Sequence, residues 1–280
     1  PRLDGRNDLS KYPAGCKTLE NMVIYPHGAA ARRPGTQFIA EVKTSSAKTR
    51  LIPFEFSTTQ TYILEFGNQY MRVYKDTGQV QSGGSACELA TPYLEAELFE
   101  IKFAQSADVL FICHPNHAAR KLARTGHTSW TLTEIDFTDG PYLPTNTTTT
   151  TLTPASASVA TGVNITASAI TGINGGAGFQ TTDVGRIISF NSGKAKITAR
   201  SSTTVVACTI TTAFTNTNAT AAFNLGAFSD TTGHPSCVSF FEQRLVFAGT
   251  TDEPQTLFFS KAGDYENMTT GTNAADAMVY

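Results

Sequence analysis

A repeated pair of apolar strands is the feature of this sequence that most constrains its fold. The repeat reads "TYILEFGNQYMRVYKDTG" from Thr61, "ADVLFICHPNHAARKLARTG" from Ala107 and "QRLVFAGTTDEPQTLFFSKAG" from Gln243. Each copy has an apolar strand, a turn, and a second strand that ends in Arg, Lys or Ser near a glycine. The first two copies start about 46 residues apart, and the third starts about 136 residues further on. The longer spacing equals one period plus an insertion of about 90 residues.

The rest of the chain favours an all-β fold. Short β-branched and aromatic runs are bounded by Gly, Asn, Asp and Pro, and helical periodicity is confined to two short candidates, residues 9–21 and 92–104. A repeat of this length lies between those of known β-propellers, whose four-stranded blades stand around a ring. We therefore predict β-propeller-like blades forming a partial ring, because the chain has about three repeats and a ring typically needs about four or more. A stack of β-hairpins that is not a propeller is the alternative.

A change of composition predicts an inserted domain. Between Thr145 and about Phe228 the chain is rich in Thr, Ala, Ser and Asn. Its Thr-rich entry resembles a solvated linker, whereas residues 184–214 alternate apolar and small polar residues, which indicates a small β-sandwich or barrel. The predicted segments are 1–144, the N-terminal part of a propeller-like domain; 145–232, the insertion; and 233–280, the return to that domain. The incomplete ring also predicts that the chain is a fragment of a longer protein.

Charge and cysteine content limit the function classes. The formal net charge is −2 and 16% of the residues are charged, which does not favour capture of nucleic acid or of an anionic membrane. Apolar runs such as "VLFIC" are far shorter than a membrane span, and the chain opens without an apolar signal segment. Five cysteines without a CxxC pair indicate free thiols rather than a disulfide framework.

Few residues are candidates for chemistry. Asp264 and Glu266 follow the third hairpin, but the other two hairpins carry no matching acids, which favours turn residues over a glycosidase pair. The stretch "CHPNH", residues 113–117, with His127 nearby, holds the potential zinc ligands, but its spacing is atypical, which favours an exposed turn carrying two histidines. No P-loop, GxSxG or HExxH motif occurs. We predict that the protein is not an enzyme and has no catalytic, cofactor-binding or metal-binding residues.

Two neighbouring arginines are the candidate contact residues. Arg32 and Arg33 precede a Pro-Gly turn in "AAARRPGTQFIAEV". Their guanidinium groups can bind phosphate or the carboxylates of a partner, and a pair of solvated turn charges is the alternative.

The N-terminal segment is similar to a known family. Its elements "GRNDLSKY" from Gly5, "LEN" from Leu19 and "RRPGT" from Arg32 resemble the opening of the tail nozzle proteins of short-tailed bacteriophages. These proteins are also called tail tubular protein B or stabilisation proteins. Residues 50–74 and 234–268 resemble later segments of the family, and the resemblance covers most of the chain outside the insertion.

The resemblance implies a structural subunit of a phage tail. Such nozzles contain β-propeller-like domains with inserted β-domains and form a homo-oligomeric ring, typically a hexamer. The ring lies below the adaptor and portal proteins, with tail fibres as further partners, and genomic DNA passes through its lumen without sequence-specific binding. It implies a location in the virion after assembly in the bacterial cytoplasm, and it makes Arg32 and Arg33 candidates for ring or adaptor contacts. The nearly neutral net charge of the chain is compatible with the passage of DNA. A strongly basic channel wall would make many phosphate contacts and hold the DNA in place.

Two other functions stay open from sequence. A carbohydrate-binding or carbohydrate-cleaving tail protein needs an aromatic-lined cleft with two facing acids, whereas this chain has one tryptophan, Trp130, and no clear acid pair. A host-surface β-propeller would close its ring within one chain, which about three repeats do not supply. The nozzle subunit is the favoured hypothesis.

Overall fold

The computed structural model describes residues 5, 7–13, 15–16 and 18–280, and it divides into two units, Pro1–Ala40 and Glu41–Tyr280. Strands dominate, and the described residues contain no α-helix. The predicted all-β class is confirmed. Of the two helical candidates, 92–104 holds only a 3₁₀ turn, Glu95–Glu97, and 9–21 shows no helix among its described residues. No described helix is long and apolar enough to cross a bilayer.

The described residues of the first unit contain one antiparallel hairpin. Strand β1 (Met22–Ile24) pairs with β2 (Ala30–Arg32), with Met22 opposite Arg32. Gly28 has a φ of 94° in the connecting turn, a conformation that L side chains rarely adopt, so glycine suits this position.

The second unit begins with a sheet built on the first predicted hairpin. Strands β3 to β6 pair antiparallel in chain order, β9 adds to β5, and β7 and β8 form a small separate hairpin. The strands are β3 (Arg50–Ser57), β4 (Gln60–Gly67), β5 (Tyr70–Lys75), β6 (Gly78–Gln79), β7 (Gln81–Ser82), β8 (Ser85–Ala86) and β9 (Glu88–Ala90). The turn between β4 and β5 is short because Gly67 lies directly opposite Tyr70.

The second sheet is a four-stranded antiparallel meander in chain order. Its strands are β10 (Lys102–Ser106), β11 (Val109–His114), β12 (His117–Arg124) and β13 (Trp130–Glu134). The second predicted hairpin is therefore present as β11 and β12.

The predicted insertion contains a six-stranded antiparallel sheet with the order β14-β15-β18-β17-β16-β19. Its strands are β14 (Leu152–Pro154), β15 (Val163–Ala167), β16 (Ile187–Phe190), β17 (Gly193–Arg200), β18 (Val205–Thr212) and β19 (Phe223–Leu225). Leu152 and Thr220 exchange two backbone hydrogen bonds of 2.9 and 3.1 Å, which join β14 to the segment before β19. This sheet has its own apolar core, which includes Ile165, Phe179 and Ile197. The segment boundaries at 145 and 232 stay a prediction.

The Thr-rich entry to the insertion differs from the predicted solvated linker. It contributes β14, and Thr150 and Leu152 are almost fully buried. The Nδ2 group of Asn146 donates to the carbonyls of Thr148, Thr150 and Ala221 at 3.0–3.2 Å. The polar side chains are therefore ordered by local hydrogen bonds that composition does not reveal.

The last sheet follows the inserted sheet in the chain, and we call it the third sheet because the inserted sheet is named separately. It has the same antiparallel meander as the second sheet. Its strands are β20 (Cys237–Phe241), β21 (Arg244–Ala248), β22 (Leu257–Phe259) and β23 (Met278–Val279). Strands β21 and β22 are the third predicted hairpin, so all three copies of the repeat form hairpins.

Strand β11 links the three sheets through two apolar cores. Leu110 and Ile112 are fully buried in a core shared with the first sheet. Phe111 and Cys113 lie in a second core, shared with the third sheet. Successive strand residues point to opposite faces, so the continuous apolar run "VLFIC" fills both cores. The contributing residues include Ile52, Phe54 and Leu64 of the first sheet and Leu245, Phe247 and Phe258 of the third. The sheets therefore stack like propeller blades.

Candidate functional site

The predicted contact residue Arg32 ends β2, Arg33 follows it directly, and both are exposed. Arg33 Nε donates to Asn21 Oδ1 at 2.8 Å, and its Nη1 donates to the carbonyl of Pro34 at 3.3 Å. The two arginines line an open depression together with Thr36. One guanidinium therefore helps to fix the local turn, and both remain accessible to a partner.

Exposed apolar residues flank these arginines on both sides along the chain. Ile24 is 64% exposed and Phe38 is 80% exposed. Apolar and arginine side chains together are typical of interaction surfaces, whereas scattered single exposures need no explanation. The first unit is therefore a candidate contact surface.

A second apolar surface lies on the third sheet. We call it the outer aromatic face, made of Phe241, Val246, Leu257, Phe259 and Tyr280. Phe241 and Tyr280 are 56% and 74% exposed, and both rings lie edge-on to Phe259. Solvated faces of antiparallel sheets are usually polar, so this face is a candidate for contact with another protein surface.

The potential zinc ligands of "CHPNH" fall into different environments. His114 ends β11 and is fully buried, whereas His117 begins β12 and is partly buried. The hairpin turn is as predicted, but the expected exposure of both histidines is wrong for His114. Its ring packs against Tyr93, with ring centroids 6.0 Å apart. His127 lies apart from them, where its Nδ1 is 2.6 Å from the Tyr62 hydroxyl.

Glu97 joins the two histidines into a cluster, which we call the Glu-His cluster: Glu97, His114 and His117. Their candidate ligand atoms all lie within 4.8 Å of one another. His117 Nε2 donates to Glu97 Oε2 at 2.8 Å, and the backbone N–H of Leu94 donates to the same oxygen at 2.8 Å. Burial alone would raise the pKa of the Glu97 carboxyl, but hydrogen bonds from Leu94, His117 and Asn116 lower this pKa to about 2.

His114 has one satisfied and one unsatisfied ring nitrogen. Its Nδ1 accepts the backbone N–H of Asn116 at 3.1 Å, while its buried Nε2 has no hydrogen-bond partner. The nearest carboxylate oxygen is Oε2 of Glu100, 3.6 Å from Nε2. Burial lowers the pKa of His114, and this effect is partly offset by the charges of Glu97 and Glu100 and by the backbone of Glu97.

Sequence reasoning missed Glu97 and Glu100. Both precede β10 in "YLEAELFEIKF", where the 3₁₀ turn Glu95–Glu97 directs an acid towards the later hairpin. Their proximity to His114 depends on the pairing of β10 with β11, which a local sequence window does not contain. A run of acids just before a strand was the available signal.

The residues considered for carbohydrate chemistry do not form a site. Glu266 forms an ion pair with Lys121, and the Asp264 N–H donates to the Lys261 carbonyl in a turn. Trp130 is 7% exposed and packs edge-on against the aromatic rings of the first sheet. A buried indole cannot stack on a sugar ring.

A cleft of about 400 Å³ lies between the second sheet and the inserted sheet. The basic groups that line it each have a carboxylate within 3.0 Å. The pairs are His117–Glu97, Arg120–Glu134, Arg186–Asp183, Lys196–Asp136 and His234–Asp230. Each of these basic groups therefore has a local partner of opposite charge, while Arg120 Nε and Arg186 Nη2 are buried without a hydrogen bond.

No family model matches this chain, and no curated protein matches it either.

Proposed function

We propose that this chain is part of a structural subunit of a phage tail nozzle. The observation that carries the proposal is the blade-like stack of three antiparallel sheets, one five-stranded and two four-stranded, whose last member presents the outer aromatic face to solvent. In repeat arrays the terminal faces are usually polar, so an apolar face suits a protein that becomes complete by packing against further β-structure. The resemblance of the N-terminal segment to nozzle proteins supports the same function.

In this proposal the subunits form a ring, most simply a hexamer, below the adaptor and portal proteins. Arg32 and Arg33 contact a neighbouring subunit or the adaptor, together with the exposed apolar residues of the first unit. Genomic DNA passes through the lumen without sequence-specific contacts. The local pairing of basic groups with carboxylates supports this part, because paired cations hold phosphates weakly.

Negative-stain electron microscopy tests the proposal. The full-length protein is imaged alone and after mixing with its adaptor protein. We expect rings with a central channel that stack on the adaptor. Compact monomers that ignore the adaptor would contradict the proposal and would turn attention to a glycan array.

The carbohydrate-binding or carbohydrate-cleaving alternative is weaker. Trp130 is buried and Glu266 is ion-paired, so the aromatic and acidic groups that this function would use have structural roles.

A further inference from the structure

We propose that the Glu-His cluster binds one divalent transition-metal ion, with Zn²⁺ as the best chemical fit. Two imidazoles and one carboxylate are a ligand set that Zn²⁺ accepts, and they leave a fourth position for another group. The candidate ligand atoms of Glu97, His114 and His117 already lie within 4.8 Å of one another. This inference revises the expectation from sequence that the chain has no metal ligands, and it does not depend on the proposed function.

The unsatisfied nitrogen of His114 points independently to a ligand. The side chain is fully buried, and its Nε2 has no hydrogen-bond partner. A buried polar atom in this state destabilises the fold relative to a satisfied one, and such atoms are rare in folded proteins. A metal ion in the cluster would give this nitrogen a partner.

The fold holds the ligands on different elements with little freedom. His114 and His117 face each other across the turn between β11 and β12, and Glu97 ends the 3₁₀ turn before β10. The Oε2 atom of Glu100 lies 3.6 Å from His114 Nε2 and can supply the fourth ligand, as can water. Tetrahedral Zn²⁺ with bonds of about 2.0–2.1 Å requires neighbouring ligand atoms about 3.3 Å apart, so the side chains must close slightly.

Metal binding must also change the tautomer of His114. Its Nδ1 accepts the Asn116 N–H, so the proton of the neutral ring is on Nε2. Coordination through Nε2 moves that proton to Nδ1, which can then no longer accept from Asn116. The peptide N–H of Asn116 must therefore turn away when the metal binds. This coupling lowers the affinity and provides a specific signal of binding at this cluster.

Isothermal titration of the whole chain with ZnCl₂, after removal of metals on a chelating resin, is the first test. We expect one equivalent of Zn²⁺ per chain and at least about tenfold weaker binding by His117→Ala, because a direct ligand is lost. His27→Ala and His234→Ala are the matched controls, since both residues lie outside the cluster. Equal binding by His117→Ala and the wild type would overturn the proposal, as would the absence of stoichiometric binding by the wild type.

Spectroscopy separates this site from a cysteine site. Cys16 and Cys237 are exposed thiols that can bind metals. We expect Co²⁺ to give the visible bands of a tetrahedral site without a thiolate charge-transfer band. We also expect Zn²⁺ to shift the Asn116 amide resonance in the wild type, and to do so in His117→Ala only at zinc concentrations at least about tenfold higher. A thiolate band, or an unmoved Asn116 resonance at saturation, would place the metal elsewhere and overturn the proposal.

Discussion

At the scale of single residues, Asp139 joins three parts of the second unit. Its carboxylate is almost fully buried and accepts from Lys194 Nζ at 2.6 Å, Thr269 Oγ1 at 2.6 Å and the Tyr142 hydroxyl at 2.5 Å. These donors come from the inserted sheet, from the segment after β22 and from the connection between sheets. Burial alone would raise the pKa of Asp139, but the three donors outweigh it and leave the pKa below its ordinary value.

We expect Asp139→Asn to lower the free energy of unfolding by about 1–3 kcal/mol, because the amide cannot replace a charge-assisted partner for Lys194. Chemical denaturation followed by circular dichroism measures the change. Asp136→Asn is the matched control, since the pair of Asp136 with Lys196 is largely exposed and is worth at most about 1 kcal/mol. Similar losses in both variants would show that Asp139 has no special role.

The effect of Asp139→Asn on the free energy of unfolding should also depend on pH. A carboxyl whose pKa is lower in the folded state stabilises the fold above its ordinary pKa, and this stabilisation is lost as the pH falls through the folded value. The difference in unfolding free energy between the wild type and Asp139→Asn should therefore shrink towards low pH. A difference that stays constant through the acid range would contradict this assignment.

At the scale of elements, the third sheet has two apolar faces with different partners. Phe247 is fully buried in the core shared with the second sheet, whereas Phe241 lies on the outer aromatic face. Both belong to the hairpin of β20 and β21, so they form a matched pair on one element.

We expect Phe247→Ala to cost about 3–5 kcal/mol of stability, because it leaves a cavity in a closed core. Phe241→Ala should change stability by only about 0.5 kcal/mol, as exposed substitutions do. Urea denaturation measures both effects, and sedimentation velocity shows whether Phe241→Ala reduces self-association. A large loss of stability in Phe241→Ala would mean that the outer aromatic face is covered within the monomer.

The hairpins could be predicted from sequence because their signals are local. Apolar strands and turn residues such as Pro115 and Asn116 are close together in the chain, and all three copies pair as expected. The burial of His114 could not be predicted, because it depends on Tyr93 and Glu97 from an earlier segment. The order of the Thr-rich entry depends on contacts of Asn146 with a residue 75 positions away, Ala221. Contacts between residues that are far apart in the chain therefore could not be predicted from the sequence.

At the scale of the whole molecule, the predicted contact surfaces await an assembly test. We expect the double variant Arg32→Ala/Arg33→Ala to reduce the fraction of ring particles without changing the far-ultraviolet circular dichroism, because both side chains are exposed. The double variant Lys48→Ala/Lys102→Ala removes the same charge from exposed positions of the second unit and is the control. Unchanged assembly of the arginine variant would remove these residues from the contact surface.

The insertion enters and leaves the blade-like part through neighbouring backbone. The Leu143 N–H donates to the Leu225 carbonyl at 2.8 Å, and the Ala227 N–H donates to the Pro141 carbonyl at 2.8 Å. Once the inserted sheet has folded, the chain between β13 and β20 behaves as a loop of about 17 residues, 135–141 and 227–236, rather than about 102. The entropic cost of loop closure grows as (3/2)RT ln n, so this shortening lowers the cost by about 1.5 kcal/mol when the third sheet docks on the second. The folded insertion therefore shortens the effective connection between the second and third sheets and favours their docking.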